Sequence, residues 1–207
     1  MQALPEPASK PTLRPARATD AGLVAPLLYE SAPAMYDRFA GGRERALRIL
    51  ERSVEVHGNS SSYENVTIAE LDGRMAGALA TFPVGEAAMR SRALLRLALR
   101  GLPPWRWPAA LWLFWAGAHS APAPPEATLY VDALAVEAGI RRRGVARALL
   151  AEAERLAKER GLPAVSLDTS LENKAARSLY LGEGYDEVAY RPAAYGLPGF
   201  VALVKAL

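Results

Sequence analysis

The chain has no cysteine among its 207 residues, which removes disulfides, thiolate metal sites and a cysteine nucleophile together. It has two histidines, His57 and His119. Neither has a neighbour at metal-ligand spacing, so no metal is expected. Charge of one sign is scarce too: 25 basic against 22 acidic side chains leave a formal +3, a weak pull towards anions. Arginines crowd at 90–100 and 141–147, but no recognised nucleic-acid motif accompanies them and no nucleic-acid partner is expected. The longest apolar run, near 109–118, is too short for a transmembrane segment. The opening MQALPEPASKPTLRP lacks the apolar core of a signal peptide. A cytoplasmic setting is therefore expected. Half the residues (51 %) are apolar, enough for one substantial core, and no linker divides them. The expectation is a single domain over 1–207 with a disordered start at 1–11.

Residues 12–14 can open a sheet, and Thr19-Asp20 resembles an N-cap for a helix over 21–30. A second helix is predicted over 43–56, with Ala46, Ile49, Leu50 and Val54 on one face. Strands over 66–71 and 75–82 flank Asp72-Gly73, a dipeptide that favours tight hairpins. Residues 85–125 then hold all four tryptophans: Trp105, Trp107, Trp112 and Trp115. This segment reads as an inserted helical pair packing its own small core. A lid over an acceptor, a homodimer contact and a membrane-surface foothold are the sharper alternatives. A strand over 127–136 and a helix over 144–160 follow, the helix buried along Val145, Leu149, Ala153 and Leu156 and stopped by Gly161-Leu162-Pro163. A strand over 164–167, a short helix near 173–181 and strands over 186–190 and 200–205 complete the chain. The strand–helix–strand crossover implies a parallel pair.

The stretch GIRRRGVARALL, from Gly139 to Leu150, carries the clearest chemistry. The first turn of a helix presents unpaired N–H groups and the positive end of its dipole. Gly144 removes a side chain that would block an anion, Ala146 keeps the next one small, and Arg141, Arg142 and Arg143 add charge at the same mouth. The junction suits a pyrophosphate, although a solvated basic turn would share the pattern.

Two motifs in order make this more specific. Arg141-x-x-Gly144-x-Ala146 follows LYVDALAV, and Asn173-x-x-Ala176-x-x-x-Tyr180-x-x-x-Gly184-Tyr185 lies downstream. In these the chain resembles the GNAT superfamily of N-acetyltransferases: the first matches its acetyl-CoA loop, Q/R-x-x-G-x-G/A, and the second its asparagine-to-tyrosine helix. The likeness covers about 12–84 and 126–207, is sharpest over 129–185, and omits the tryptophan segment.

The resemblance implies an α/β (α+β) fold: a mixed, mostly antiparallel central sheet of about six to seven strands, flanked by helices. Two parallel strands would splay to form an acetyl-CoA cleft. It implies main-chain contacts from Leu134 and Val136 to the pantetheine arm, and a bulge near Leu134 and Ala135 that aims an N–H at the thioester carbonyl. The amides of Arg142, Arg143, Gly144, Val145 and Ala146 would hold the pyrophosphate, and Asn173 the arm from the far side. Tyr180 occupies the family's general-acid position, or else packs its ring on the sheet. The base is sought at Tyr130 and Asp132, which plain alternation puts on one side of the strand. Asp132 could equally order a loop or bind a cationic acceptor. Acceptor contacts would come from Tyr29, Glu30, Tyr36 and Asp37, helped by Tyr190 and Tyr195.

The leading expectation is an acetyl-CoA-dependent N-acetyltransferase acting on a primary amine of a small molecule or peptide. A non-catalytic acyl-CoA-binding sensor or scaffold is the alternative from another class, and nucleic-acid binding a weaker third.

Overall fold

The computed structural model describes residues 10–207; most of the N-terminal segment expected to be disordered lies outside the described residues. Seven strands form one sheet in the order β1-β2-β3-β4-β5-β7-β6. They are β1 (Thr12–Pro15), β2 (Val66–Leu71), β3 (Arg74–Pro83), β4 (Thr128–Val136), β5 (Ala164–Ser170), β6 (Asp186–Arg191) and β7 (Phe200–Ala206). Every neighbouring pair is antiparallel except β4 and β5. The expected mixed sheet and its single parallel pair are present. The β2–β3 hairpin turns at Asp72 and Gly73, both with positive φ (53° and 73°), as a two-residue turn with this twist requires.

Helices cover both faces. On one side α1 (Ala21–Ser31), α2 (Pro33–Ala40), α3 (Arg43–Glu55) and α4 (Val84–Gly101) enclose a core that includes Leu28, Leu50, Val54, Ile68, Ala78 and Ala80. On the other, α6 (Val145–Glu159) and α7 (Lys174–Gly182) close over Leu79, Leu129, Val131, Leu167 and Leu203. The helical stripes explain the seating. In α6, Val145, Leu149, Leu150, Ala153 and Ala157 are buried, a spacing that turns one face to the sheet.

Two expectations need correction, and one element has no counterpart in the sequence reading. That element is helix α2, where Pro33 stands at the first turn and its missing N–H costs nothing. Asp20 does not cap α1 with its side chain, because its carboxylate accepts from the Arg17 N–H at 2.7 Å and from Arg14. The tryptophan segment does form a helical pair, α4 and α5 (Trp107–Ser120), but not a core of its own. Ala98, Leu102 and Ala110 join the main core. Leu113 and Ala116 pack with Leu197, Met35, Phe39 and Phe200. The alanines on its inner face let α5 approach α2 closely, so the outer face keeps Trp107, Leu111, Trp112 and Trp115 exposed.

β6 is an edge strand, exposed along its whole length, with an irregularity in its pairing between Glu187 and Ala189. Glu187 is ion-paired to Arg177 of α7 at 2.7 Å.

β3 passes beneath α6 at Gly77. A Cβ there would lie 2.8 Å from the Ala135 carbonyl oxygen and 3.1 Å from Val145 Cγ1. Gly77→Val therefore forces α6 off the sheet. Its expected cost is about 3 kcal/mol, a fall in Tm of about 10 °C. Thermal unfolding checks this against Gly85→Ala in α4, where a Cβ meets nothing within 4 Å and Tm should hold or rise.

Candidate active site

β4 and β5 form a fork. They pair in parallel through Thr128↔Ala164, Leu129↔Val165, Tyr130↔Ser166 and Val131↔Leu167, and no further. Beyond that rung β4 stays on β3 to Val136, and β5 stays on β7 to Ser170. The backbone edge of β4 from Asp132 onward has no β5 partner. The closed end is pinned by a buried 2.6 Å hydrogen bond between the Thr128 and Ser166 hydroxyls.

The bulge of β4 lies at Asp132, not at Leu134 and Ala135. Ala80 pairs with Ala133 and Thr81 with Val131, so Asp132 is the extra residue. The inserted residue reverses the strand's phase. Leu129 and Val131 belong to the α6-side core, as do Leu134 and Val136, whereas Ala133 and Ala135 belong to the α1-side core. Plain alternation therefore does not describe this strand. The bulge is what delivers a carboxylate to the fork from between two buried neighbours: Asp132 is the one exposed position of β4.

Asp132, Tyr130 and Asp168 come together at the start of the fork. The Tyr130 hydroxyl donates to Asp168 Oδ1, and the Tyr130 ring lies 5.8 Å from that of Phe82. Asp132 touches solvent, but protein crowds it on its other sides, and the crowding governs its ionisation. Burial, then the charge of Asp168, pushes its carboxyl up to about 7. Burial also raises Asp168, against which the Tyr130 hydrogen bond acts. Tyr36 of α2 reaches the same place: burial first, then the charge of Asp132, raises its phenol. Asp168 was not among the residues singled out from sequence. The readable signal was its position at the end of an apolar strand facing a strand that also carries an aspartate.

Tyr180 approaches from α7. It is 7 % exposed, its ring is tilted against Tyr185 at 6.0 Å, and burial followed by Asp168 pushes its phenol up to about 12. No hydrogen bond engages its hydroxyl among the described residues.

The wide end of the fork leads to α6. Arg142 and Gly144 both have positive φ (64° and 81°), the alternating backbone that turns successive N–H groups to one side. The first bond closing the helix runs from the Ala148 N–H to the Gly144 carbonyl at 3.0 Å. The N–H groups of Val145, Ala146 and Arg147 thus stand at an open first turn. A Cβ on Gly144 would meet nothing within 4 Å. This open, amide-lined concavity fits a diphosphate. Of the three arginines, Arg141 Nε donates to the Val136 carbonyl at 3.3 Å and Arg143 pairs with Asp72 at 3.1 Å. Arg142 has no ion pair among the described residues. Across the fork, Asn173 caps α7: its Oδ1 accepts from the Ala176 N–H at 3.2 Å and its Nδ2 donates to Thr169 Oγ1 at 3.3 Å.

The remaining acceptor candidates divide: two gather on Tyr36 and the others lie apart. Tyr29 is buried, donates its hydroxyl to Asp37 at 2.9 Å and stacks on Tyr36 at 6.2 Å, so Tyr29 and Asp37 satisfy one another behind Tyr36. Glu30 is exposed. Tyr190 lies 74 % exposed on β6. Tyr195 packs edge-on against Trp112 and Trp115 at 6.3 and 5.0 Å, in a loop tied to α2 by the Arg38 donation to the Gly196 carbonyl at 2.6 Å.

Comparison with curated proteins by sequence finds no match. Solved structures match the fold over nearly the whole chain. One described as an acetyltransferase superposes with a TM-score of 0.73 at 19 % identity, covering 94 % of this chain and 98 % of the other. An N-acetyltransferase from Staphylococcus aureus Mu50 gives 0.74 at 19 %, covering 94 % and 100 %. A ribosomal-protein-alanine N-acetyltransferase from Brucella melitensis gives 0.55 at 17 %, covering 95 % and 99 %. The family model described as acetyltransferase (GNAT) family matches residues 34–185. That span takes in α2, the fork, the start of α6 and Tyr180, and the chain accordingly belongs to the GNAT family of acetyltransferases.

Proposed function

We propose that the protein transfers the acetyl group of acetyl-CoA to a primary amine of a small molecule or peptide, by direct attack of the amine, as a single catalytic unit working in the cytoplasm. The observation that carries this reading is that Asp132 and Tyr180 both face Asp168 at the start of a fork whose wide end runs to the open first turn of α6. Acetyl-CoA supplies the activated acyl carbon and a thiolate leaving group. The amides of Arg142, Arg143, Gly144, Val145 and Ala146, with the Arg142 side chain, which has no ion pair among the described residues, hold the diphosphate. Arg141 orders this loop through the Val136 carbonyl. The unpaired edge of β4, at Leu134, Ala135 and Val136, runs beside the pantetheine arm, with Asn173 opposite.

Asp132 takes the proton that the acceptor's ammonium group must lose before nitrogen can attack. Tyr130 fixes the surroundings of that carboxylate, and Tyr36 lines the acceptor side, with Tyr29 and Asp37 supporting it. Glu30, being exposed, can meet only the outer part of a larger acceptor. Tyr180 gives its proton to the departing sulfur as the C–S bond breaks. A phenol near 12 would be a poor match for a free thiol near about 8.5, but burial in the same cleft raises the thiol too.

An amine panel followed by release of free CoA thiol tests the reading. At least one primary amine should accelerate release over buffer by about 100-fold or more. Acetyl-CoA binding with no release for any amine would leave an acyl-CoA-binding module instead. In the productive case kcat/KM should rise with pH through about 7, where Asp132 ionises. Asp132→Asn should abolish that limb and lower the plateau by about 100-fold. Stability gives an independent sign. A carboxyl raised on folding contributes fully below its unfolded value and loses that contribution as pH rises through about 7. Asp132→Asn should therefore melt higher than the parent protein at pH 8 and no higher at pH 4.

A further inference from the structure

The last paired rung of the fork is Val131↔Leu167, so the next residue on each strand is an aspartate: Asp132 on β4 and Asp168 on β5. Among the described residues neither carboxylate has a basic partner. Two like charges side by side just past the last rung repel unless they share a proton or are held apart. They differ in exposure, Asp132 being the more open of the two, and in one hydrogen bond, from the Tyr130 hydroxyl to Asp168. Tyr130 is itself fixed, one rung deeper, opposite Ser166 and against Phe82. A donor aimed at one carboxylate stabilises the anion there and leaves its neighbour as the better proton acceptor.

We propose that Asp168 is a positioning residue that acts through Asp132: anchored by Tyr130, it remains the fixed anion of the pair and makes Asp132 the carboxylate that gains and loses the proton. On the acetyl-transfer reading, on which the use of this pair rests, one N–H bond of the ammonium breaks. Its proton forms an O–H bond on Asp132, and the freed nitrogen lone pair attacks. Asp168 changes neither its bonds nor its charge. The other titratable groups facing the pair are Tyr36 from α2 and Tyr180 from α7; both are phenols, and neither adds a cation. The standing charge of Asp168 also favours acceptors that enter as cations over neutral alcohols.

The pair is tested on the full chain, without an acceptor, by NMR titration of carboxyl-labelled aspartate, with signals assigned from Asp132→Asn and Asp168→Asn. In the parent protein the two should titrate as a coupled pair. In Asp168→Asn, which can still accept from Tyr130, the Asp132 midpoint should fall by at least about one pH unit. In Tyr130→Phe the two midpoints should move in opposite directions, Asp168 up and Asp132 down; this variant decides if Asp168→Asn does not fold. An Asp132 midpoint unmoved in the folded variants overturns the proposal.

The acidic limb of kcat/KM should follow the same displacement for whichever panel amine turns over, which a merely structural role of Asp168 would not produce. If no amine releases thiol from the parent protein, acetyl transfer falls while the titration still decides the pair. If release is amine-dependent and the titration is unmoved, the pair falls and acetyl transfer stands.

Discussion

Gly144→Glu should lose acetyl-CoA affinity by at least about 100-fold while the fold survives. The new carboxylate would sit among the open amides at the start of α6 and compete for the donors that the diphosphate needs. Loss of two charge-assisted hydrogen bonds, at about 1.5 kcal/mol or more each, gives that factor. Conformation contributes separately. Gly144 has φ 81°, so any side chain costs about 1–2 kcal/mol there, a fall in Tm of about 2–8 °C. Gly144→Ala separates the two effects. It carries the same backbone strain, yet its Cβ meets nothing within 4 Å, and its affinity should drop by less than about tenfold. Calorimetric titration with acetyl-CoA reads both variants. Wild-type affinity in Gly144→Glu would place the diphosphate elsewhere.

Tyr180→Phe should lower kcat by about 100- to 1,000-fold and leave the acetyl-CoA Kd within about twofold. The substitution deletes one hydroxyl and keeps a ring that is 7 % exposed and packed on Tyr185, so little stability is at stake. Only the proton donor is removed. The parent protein offers a second check. An acid pushed up to about 12 stays protonated through the neutral and mildly alkaline range, and is lost only as pH rises through that value. Hence kcat should hold a plateau from about pH 8 to about pH 10, with no alkaline limb from Tyr180. Equal turnover in Tyr180→Phe would reduce the tyrosine to packing and leave water as the proton source.

Much of this was legible in the chain because local rules and tertiary demands agree. Asp72-Gly73 can adopt the paired positive φ values of a tight hairpin, and it does. The spacing of Val145, Leu149 and Ala153 specifies the buried face of α6, and that face is buried. Gly144 is read as clearing space for an anion ahead of a helix, and the space at that position is open. What escaped depends on relations between segments. The bulge at Asp132 arises from pairing with Ala80 and Thr81, some fifty residues earlier, and period-two reasoning carries no trace of it. Asp168 matters because it stands beside Asp132 just past the last rung, a placement that exists only once β4 and β5 are in register. Helix α2 is short and opens on Pro33, which breaks a helix in its interior but suits its first turn. Of the acceptor candidates, Tyr29 and Asp37 gather on Tyr36 through a bond that no spacing of eight residues announces, while Glu30 faces solvent and Tyr190 and Tyr195 lie elsewhere.

The open margin at β6 has a consequence for handling and expression. Its outer row of peptide groups is a template on which another chain could add a strand and so seed aggregation. Asp186, Glu187 and Arg191 interrupt that row with charge, and the misfit around Val188 spoils its straightness. Neutral, β-branched replacements at Asp186 and Glu187 would take these guards away and invite self-association in concentrated solution.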